Sequence, residues 1–179
     1  MGLRYADLDG VTRTHMLAEI DLDVSSGTLF HSPRLSPTGR HLYASLLREA
    51  AESRDDDWLA SELQWRGCIA SSRPRRKPRG GISIARVPDN AHETLAEGEF
   101  NRFYARGLCA RVVQTGGSEV EVYRGKQVQN PRPESEAMVG RRLPAQALLD
   151  DLRRSQGIEP ALGLPPGPNS GLTVRRVNG

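Results

Sequence analysis

Residues 90–117, NAHETLAEGEFNRFYARGLCARVVQTGG, form the longest helical pattern in the chain, and the rest of the fold is read outward from them. Leu95, Phe103, Tyr104, Leu108, Cys109, Val112 and Val113 recur at helical spacing and make an apolar stripe. Asn90 followed by Glu93 marks a start, and Gly116-Gly117 marks the end. The early turns hold Glu93, Glu97 and Glu99, and the later turns hold Arg102, Arg106 and Arg111. That order complements the helix dipole and permits pairs such as Glu99 with Arg102. We read these charges as a solvated, supporting face rather than an active site.

On either side of this helix the periodicity changes to two. SEVEVYRG (118–125) alternates, with Val120 and Val122 on one side and Glu119, Glu121 and Tyr123 on the other, as a strand does. GISIARV (81–87) is the expected partner strand. The two would form a small sheet on the central helix, with the amino-terminal helices as a second layer. Those helices are predicted from three patterns. The first covers about 10–24, with Met16, Ile20, Val24 and Leu17 on its apolar side and Gly27 as a stop. The second starts at Ser36 and Pro37 and buries Leu42, Tyr43, Leu46, Leu47 and Ala50. The third follows Ser53 and Asp56, which have capping-box spacing, and carries Trp58, Leu59 and Leu63 on one face.

Toward the carboxyl end, NPRPESEAMVG (130–140) reads as a proline-punctuated turn entering a short helix. PAQALLDDLRRSQG (144–157) reads as a helix that buries Leu148, Leu149 and Leu152 and closes at Gly157. The tail GLPPGPNSGLTVRRVNG cannot be helical at its Pro-Pro and Gly-Pro steps. Leu172 to Val177 can add as an edge strand, in this chain or in a neighbour. The expected class is α+β: mainly helical with a small sheet, long Pro/Gly-rich connectors and an extended C-terminal tail. Residues 1–65 are the helical N-terminal part, 66–86 a basic connector or arm, 87–157 the central helix, strand and last helix, and 158–179 the tail. We read the whole as one domain with appendages. Phe100, Phe103, Tyr104 and Trp58 are assigned to packing, and Trp65 is the aromatic expected at the surface.

Charge is distributed unevenly along this frame. RGCIASSRPRRKPRGGISIAR (66–86) carries seven cations and no acid: Arg66, Arg73, Arg75, Arg76, Lys77, Arg79 and Arg86. The net charge of the whole chain is +3, so removing that segment leaves −4. An anionic body with one cationic segment can approach a polyanion through that segment alone. Arg73, Arg75, Arg76, Lys77, Arg79 and Arg86 are therefore the candidate binding residues, toward nucleic acid or an acidic protein surface. Aromatic residues are absent from 66 to 99, so the segment has no platform for stacking unpaired bases. No recognition-helix motif adjoins it, which argues against sequence-specific readout.

Other chemistries find little support. His15, His31, His41 and His92 do not fall at metal-ligand spacing, and Cys68 and Cys109 lie far apart, so no metal or cofactor is expected. Glu134 and Glu136 near Arg132 read as first-turn acids after a rigid turn. A metal-dependent nuclease or hydrolase would require Asp89, Glu119 or Glu121, and Lys126 to converge, and Lys126 lies past the break at Gly125. Phosphate-cradling and nucleophile-elbow motifs are missing. The opening residues show no leader pattern, and no apolar run approaches a membrane span. A reducing interior, cytoplasmic or within an assembled virus-like particle, is the expected setting, with both thiols as small buried hydrophobes.

ETLAEGEFNRFYARGLCARVV (93–113), VYRGKQVQNPRPESEAMVG (122–140) and GLPPGPNSGLTVR (163–175) together resemble uncharacterised proteins of GC-rich bacteria and their tailed phages or prophages. The resemblance covers about half the chain and brings no fold, activity or site residue. It implies a phage-linked or mobile-element role. The expectation is a non-enzymatic assembly or interaction protein that docks its basic arm on an acidic partner or on nucleic acid, with self-association or assembly into a larger particle. The rival readings are a sequence-nonspecific nucleic-acid-binding protein and a metal-dependent nuclease or hydrolase.

Overall fold

In a computed structural model, which describes residues 2–76, 78, 80–155 and 170–177, six helices and five strands follow in chain order. They are α1 (Gly10–Ser25), α2 (Pro37–Ser53), α3 (Asp56–Trp65), β1 (Ser72–Arg76), β2 (Ile82–Arg86) and α4 (Ala91–Gln114). Then come β3 (Glu119–Arg124), α5 (Pro133–Glu136), β4 (Arg142–Pro144), α6 (Ala145–Arg154) and β5 (Leu172–Arg176). The protein is mainly helical, with two small sheets.

The predicted central helix is α4, and it is more central than its pattern implies. α1, α2, α3 and α6 pack around it, and β3 and β5 cover a further side. Phe100, Phe103, Tyr104, Leu108 and Cys109 are buried, in one core cluster that runs from Met16 to Val174. A helix enclosed on several sides has little solvent face left for its charges. The reading of a solvated charged face is therefore corrected: Glu97, Glu99 and Arg106 are all buried.

In the core, α4 and α1 approach each other closely. A Cβ placed on Gly107 would lie 2.7 Å from both Cγ and the backbone nitrogen of Met16. The backbone atom cannot move aside as a side chain can. Gly107→Ala is expected to cost at least 1–3 kcal/mol, the usual penalty of overpacking. Thermal denaturation of the variant checks this.

Local signals decide most helix ends. The Ser36 hydroxyl accepts the Gly39 N–H at 3.0 Å, with Pro37 in the first turn of α2, as its sequence predicts. At α3 the cap is Asp55, whose carboxylate accepts the Trp58 N–H at 2.8 Å. Ser53 is instead the last residue of α2, and Asp56 is buried and accepts the Leu3 N–H at 3.0 Å. On α1, Val24 is exposed and Asp23 takes its expected place inside, because a buried arginine from α4 reaches Asp23. Asn90 starts α4 without a side-chain cap.

The sheets differ from the expected pairing. β3 lies between β4 and β5, antiparallel to both, so neither of its edges is open to β2. β2 pairs with β1 instead, across a turn in which Gly80 and Gly81 take left-handed φ values of 88° and 87°. The basic segment, read as a connector or arm, thus forms a β-hairpin from Ser72 to Arg86. The edge-strand reading of the tail holds within this chain: β5 pairs with β3 from Val120–Arg176 to Arg124–Leu172. The predicted stop at Gly157 and the proline-rich connector before Ser170 lie outside the described residues. Cys68 and Cys109 are free and buried, and burial pushes the Cys109 thiol up to about 12. Trp65 is exposed, as expected, at 87%. Among the described residues, no helix is long and apolar enough to cross a membrane.

Candidate functional site

The base of the β1–β2 hairpin is fastened to the body by backbone hydrogen bonds. Leu35 and Ile69 form a β-bridge and the Ala70 N–H donates to the Arg34 carbonyl at 2.8 Å, while the Val87 N–H donates to the Ser71 carbonyl at 3.0 Å and closes the hairpin's own ladder. Val87 is buried just where β2 rejoins the body. Beyond that base the two strands have each other as neighbours and make no more than marginal contact with any other element. The sequence therefore builds an arm: a fixed root and a shaft with at most marginal contact to the rest of the protein.

The arm holds most of the predicted binding residues. Arg73 is half-buried, and Arg75, Arg76 and Arg86 are exposed. Lys77 and Arg79 lie outside the described residues. Arg86 pairs with Asp89 at 2.8 Å, both being well exposed, which contributes little to stability. Among the described residues, the side chains of Arg73, Arg75 and Arg76 have neither an ion-pair nor a hydrogen-bond partner. Several body arginines behave differently, although Arg34, Arg40, Arg132 and Arg142 also meet no carboxylate among the described residues. Arg106, Arg111, Arg124, Arg153, Arg175 and Arg176 each meet a carboxylate at 2.5–2.9 Å. The anionic body has acids to offer, and the arm does not fold back onto them.

The residues of the hydrolase reading are dispersed into separate contacts. Asp89 is on Arg86, Glu121 is 2.5 Å from Arg175, and Lys126 is 2.5 Å from Glu97. Glu136, near Arg132 in sequence, pairs with Arg124. A cleft between α3 and α4 does gather Asp56, Asp57, Glu93 and Glu97 with His92 and Lys126. Burial pushes the Asp56 carboxyl up to about 6, against the opposing pull of the Leu3 N–H. Burial also raises Glu97, against the pull of Lys126. Among the described residues, no group of three or more metal-binding side chains is placed to hold an ion.

Sequence reasoning missed a second electrostatic feature, which holds the body together. Arg106 is fully buried; its Nη1 and Nη2 donate to the two Asp23 oxygens at 2.7 and 2.9 Å, and its Nε donates to Glu19 at 2.9 Å. Arg153 of α6 donates to the other Glu19 oxygen at 2.6 Å. The four side chains tie α1, α4 and α6 together. A signal was present: Glu19 and Asp23 are like charges four apart, beside the apolar positions Met16 and Ile20, and such a pair demands a cation.

Nearby, Glu99 is 3.7 Å from Arg102. Burial pushes its carboxyl up to about 7, opposed by Arg102 and Arg106 and reinforced by Asp23. A carboxyl whose folded pKa lies above its unfolded value binds a proton more tightly when folded. Its contribution is therefore most favourable in acid and is lost as the pH rises from about 4.5 to about 7. Glu99→Gln is expected to remove roughly 3 kcal/mol of that pH-dependent loss. Urea unfolding of both proteins at pH 5 and pH 8 checks it: the variant gains relative to the wild type only at the higher pH.

No family model, curated protein or solved structure matches the chain.

Proposed function

We propose that the protein works by binding and assembly rather than by chemistry, and that its β1–β2 arm engages a polyanion. One observation carries this reading: the side chains of Arg73, Arg75 and Arg76 sit together on one projecting hairpin with no ion-pair or hydrogen-bond partner among the described residues. An unpaired guanidinium offers the forked donor set that phosphates and carboxylates accept. Shape favours nucleic acid as the polyanion, because a two-stranded ribbon is one of the elements a B-DNA major groove admits. Binding through phosphates needs no recognition helix, so sequence preference would be weak. Assembly within a phage-linked particle, which the resemblance implies, is a setting in which a basic arm rooted in an anionic body would hold packaged DNA.

Titration of the full chain at low salt with duplex DNA, single-stranded RNA and a Glu-rich protein tests the reading. Duplex binding is expected, with log K falling against log salt at a slope of about −0.9 for each phosphate neutralised. Binding of the Glu-rich protein alone would move the arm to a protein partner. Indifference to all three would take the arm out of the function.

A further inference from the structure

The arginines account for only part of the arm. Directly opposed residues of an antiparallel pair share a face, and alternate residues change face. The register therefore groups Ser72, Pro74, Arg76, Ile82, Ile84 and Arg86 on one side, and Arg73, Arg75, Ser83 and Ala85 on the other. The second side is partly sheltered at Arg73, Ser83 and Ala85. The first is exposed throughout, with Ile82 at 70% and Ile84 at 80%. Pro74 lies opposite Ile84, and Arg76 lies opposite Ile82. The outward side is thus a short apolar stripe with an arginine toward each end.

Exposed strand edges in proteins are ordinarily blunted with charge, and outward isoleucines on a free ribbon run against that habit. The ligand that fits is apolar along its middle and anionic along its rims. The major groove of B-DNA has that character: phosphates form its walls, its width of about 12 Å admits a two-stranded ribbon, and thymine presents a C5-methyl group on its floor. Charge and geometry exclude the competitors. An anionic membrane takes a broad apolar face into its interface, and Pro74, Ile82 and Ile84 make only a short stripe. A second copy would bring two segments of +7 face to face. The major groove of A-form RNA is too narrow to enter, and unpaired bases would find no aromatic between 66 and 99.

We propose that the Pro74, Ile82 and Ile84 face of the arm lies in the major groove of duplex DNA against thymine methyl groups, with Arg76 and Arg86 on the flanking phosphates and Arg73 and Arg75, on the side away from the floor, reaching phosphates at the groove's rims. The inference rests on the polyanion reading of the arm and adds a duplex, a groove and a base-borne group to it. Arg86 is free to take part, since its exposed pair with Asp89 is weak enough to be exchanged for a phosphate.

The test uses the full chain and two duplexes of one sequence, one with thymine and the other with uracil at every such position. Fluorescence anisotropy at fixed salt is expected to show tighter binding to the thymine duplex, by about fourfold for each methyl group buried. Ile82→Ser with Ile84→Ser is expected to bind both duplexes equally while keeping the wild-type salt slope and melting temperature. Equal wild-type affinity for the two duplexes would overturn the methyl contact and leave the polyanion reading standing. Tighter binding to single strands or to duplex RNA would overturn the groove assignment. Failure to bind either duplex would bring down the nucleic-acid reading itself, so the two failures are distinguishable. The wild-type comparison decides the question even if the double variant is unstable.

Discussion

Arg106→Met should destabilise the protein by about 3–5 kcal/mol, the cost of removing one partner from a buried charge pair. Arg106 is 0% exposed, and its three nitrogens reach Glu19 and Asp23. Methionine fills much of the same volume, so the loss comes from electrostatics rather than from a cavity. Two buried carboxylates on adjacent turns of α1 would be left with a single nearby arginine, Arg153, whose side chain is 38% exposed. For a chain of this length the melting temperature should fall by on the order of 10 °C. Replacing all of Arg106, Glu19 and Asp23 with apolar residues should recover much of the loss, because an absent charge has no desolvation cost. An Arg106→Met protein as stable as the wild type would show that this cluster does not hold α1, α4 and α6 together.

The second large effect is confined to binding. Arg73→Gln, Arg75→Gln and Arg76→Gln together should weaken duplex DNA binding by on the order of 10³-fold at about 50 mM salt, if each contact neutralises one phosphate. The melting temperature should barely change, because these side chains have no partners within the described residues to lose. Arg106 and the arm arginines therefore make opposite predictions: replacing the first is expected to cost stability, and replacing the other three is expected to cost binding alone. A triple variant that unfolds would mean that the hairpin arginines are structural.

These contrasts show how far the sequence could be read. The helices were legible because their apolar spacing is local, as at Tyr43, Leu46, Leu47 and Ala50. The Ser36 cap and the β5 edge strand were legible for the same reason. Charge on α4 was misread. Helical periodicity identifies which residues share a face, and says nothing about how many neighbours will cover it. Glu99 and Arg106 became interior residues because α1, α2, α3 and α6 surround their helix. The strand partner of β2 was also misassigned. Alternation identifies a strand without identifying its mate, and the short turn through Gly80 and Gly81 favoured the local pairing.

The cations of the arm were visible as a charge run. Its hairpin form was not, because Pro74 and Pro78 suggested an irregular chain. Only the register turned Ile82 and Ile84 into an outward face. The alternation of ISIAR is the available signal, and alternation alone does not say which sheet a strand joins.

The most direct measurement is the salt dependence of duplex DNA binding for the wild type and the Arg73, Arg75 and Arg76 triple glutamine variant side by side. Each lost phosphate contact lowers the magnitude of the log–log slope by about 0.9, so the two slopes should differ by about 2.7. Parallel slopes with equal affinities would contradict the account, because the phosphates would then be met by some other part of the protein.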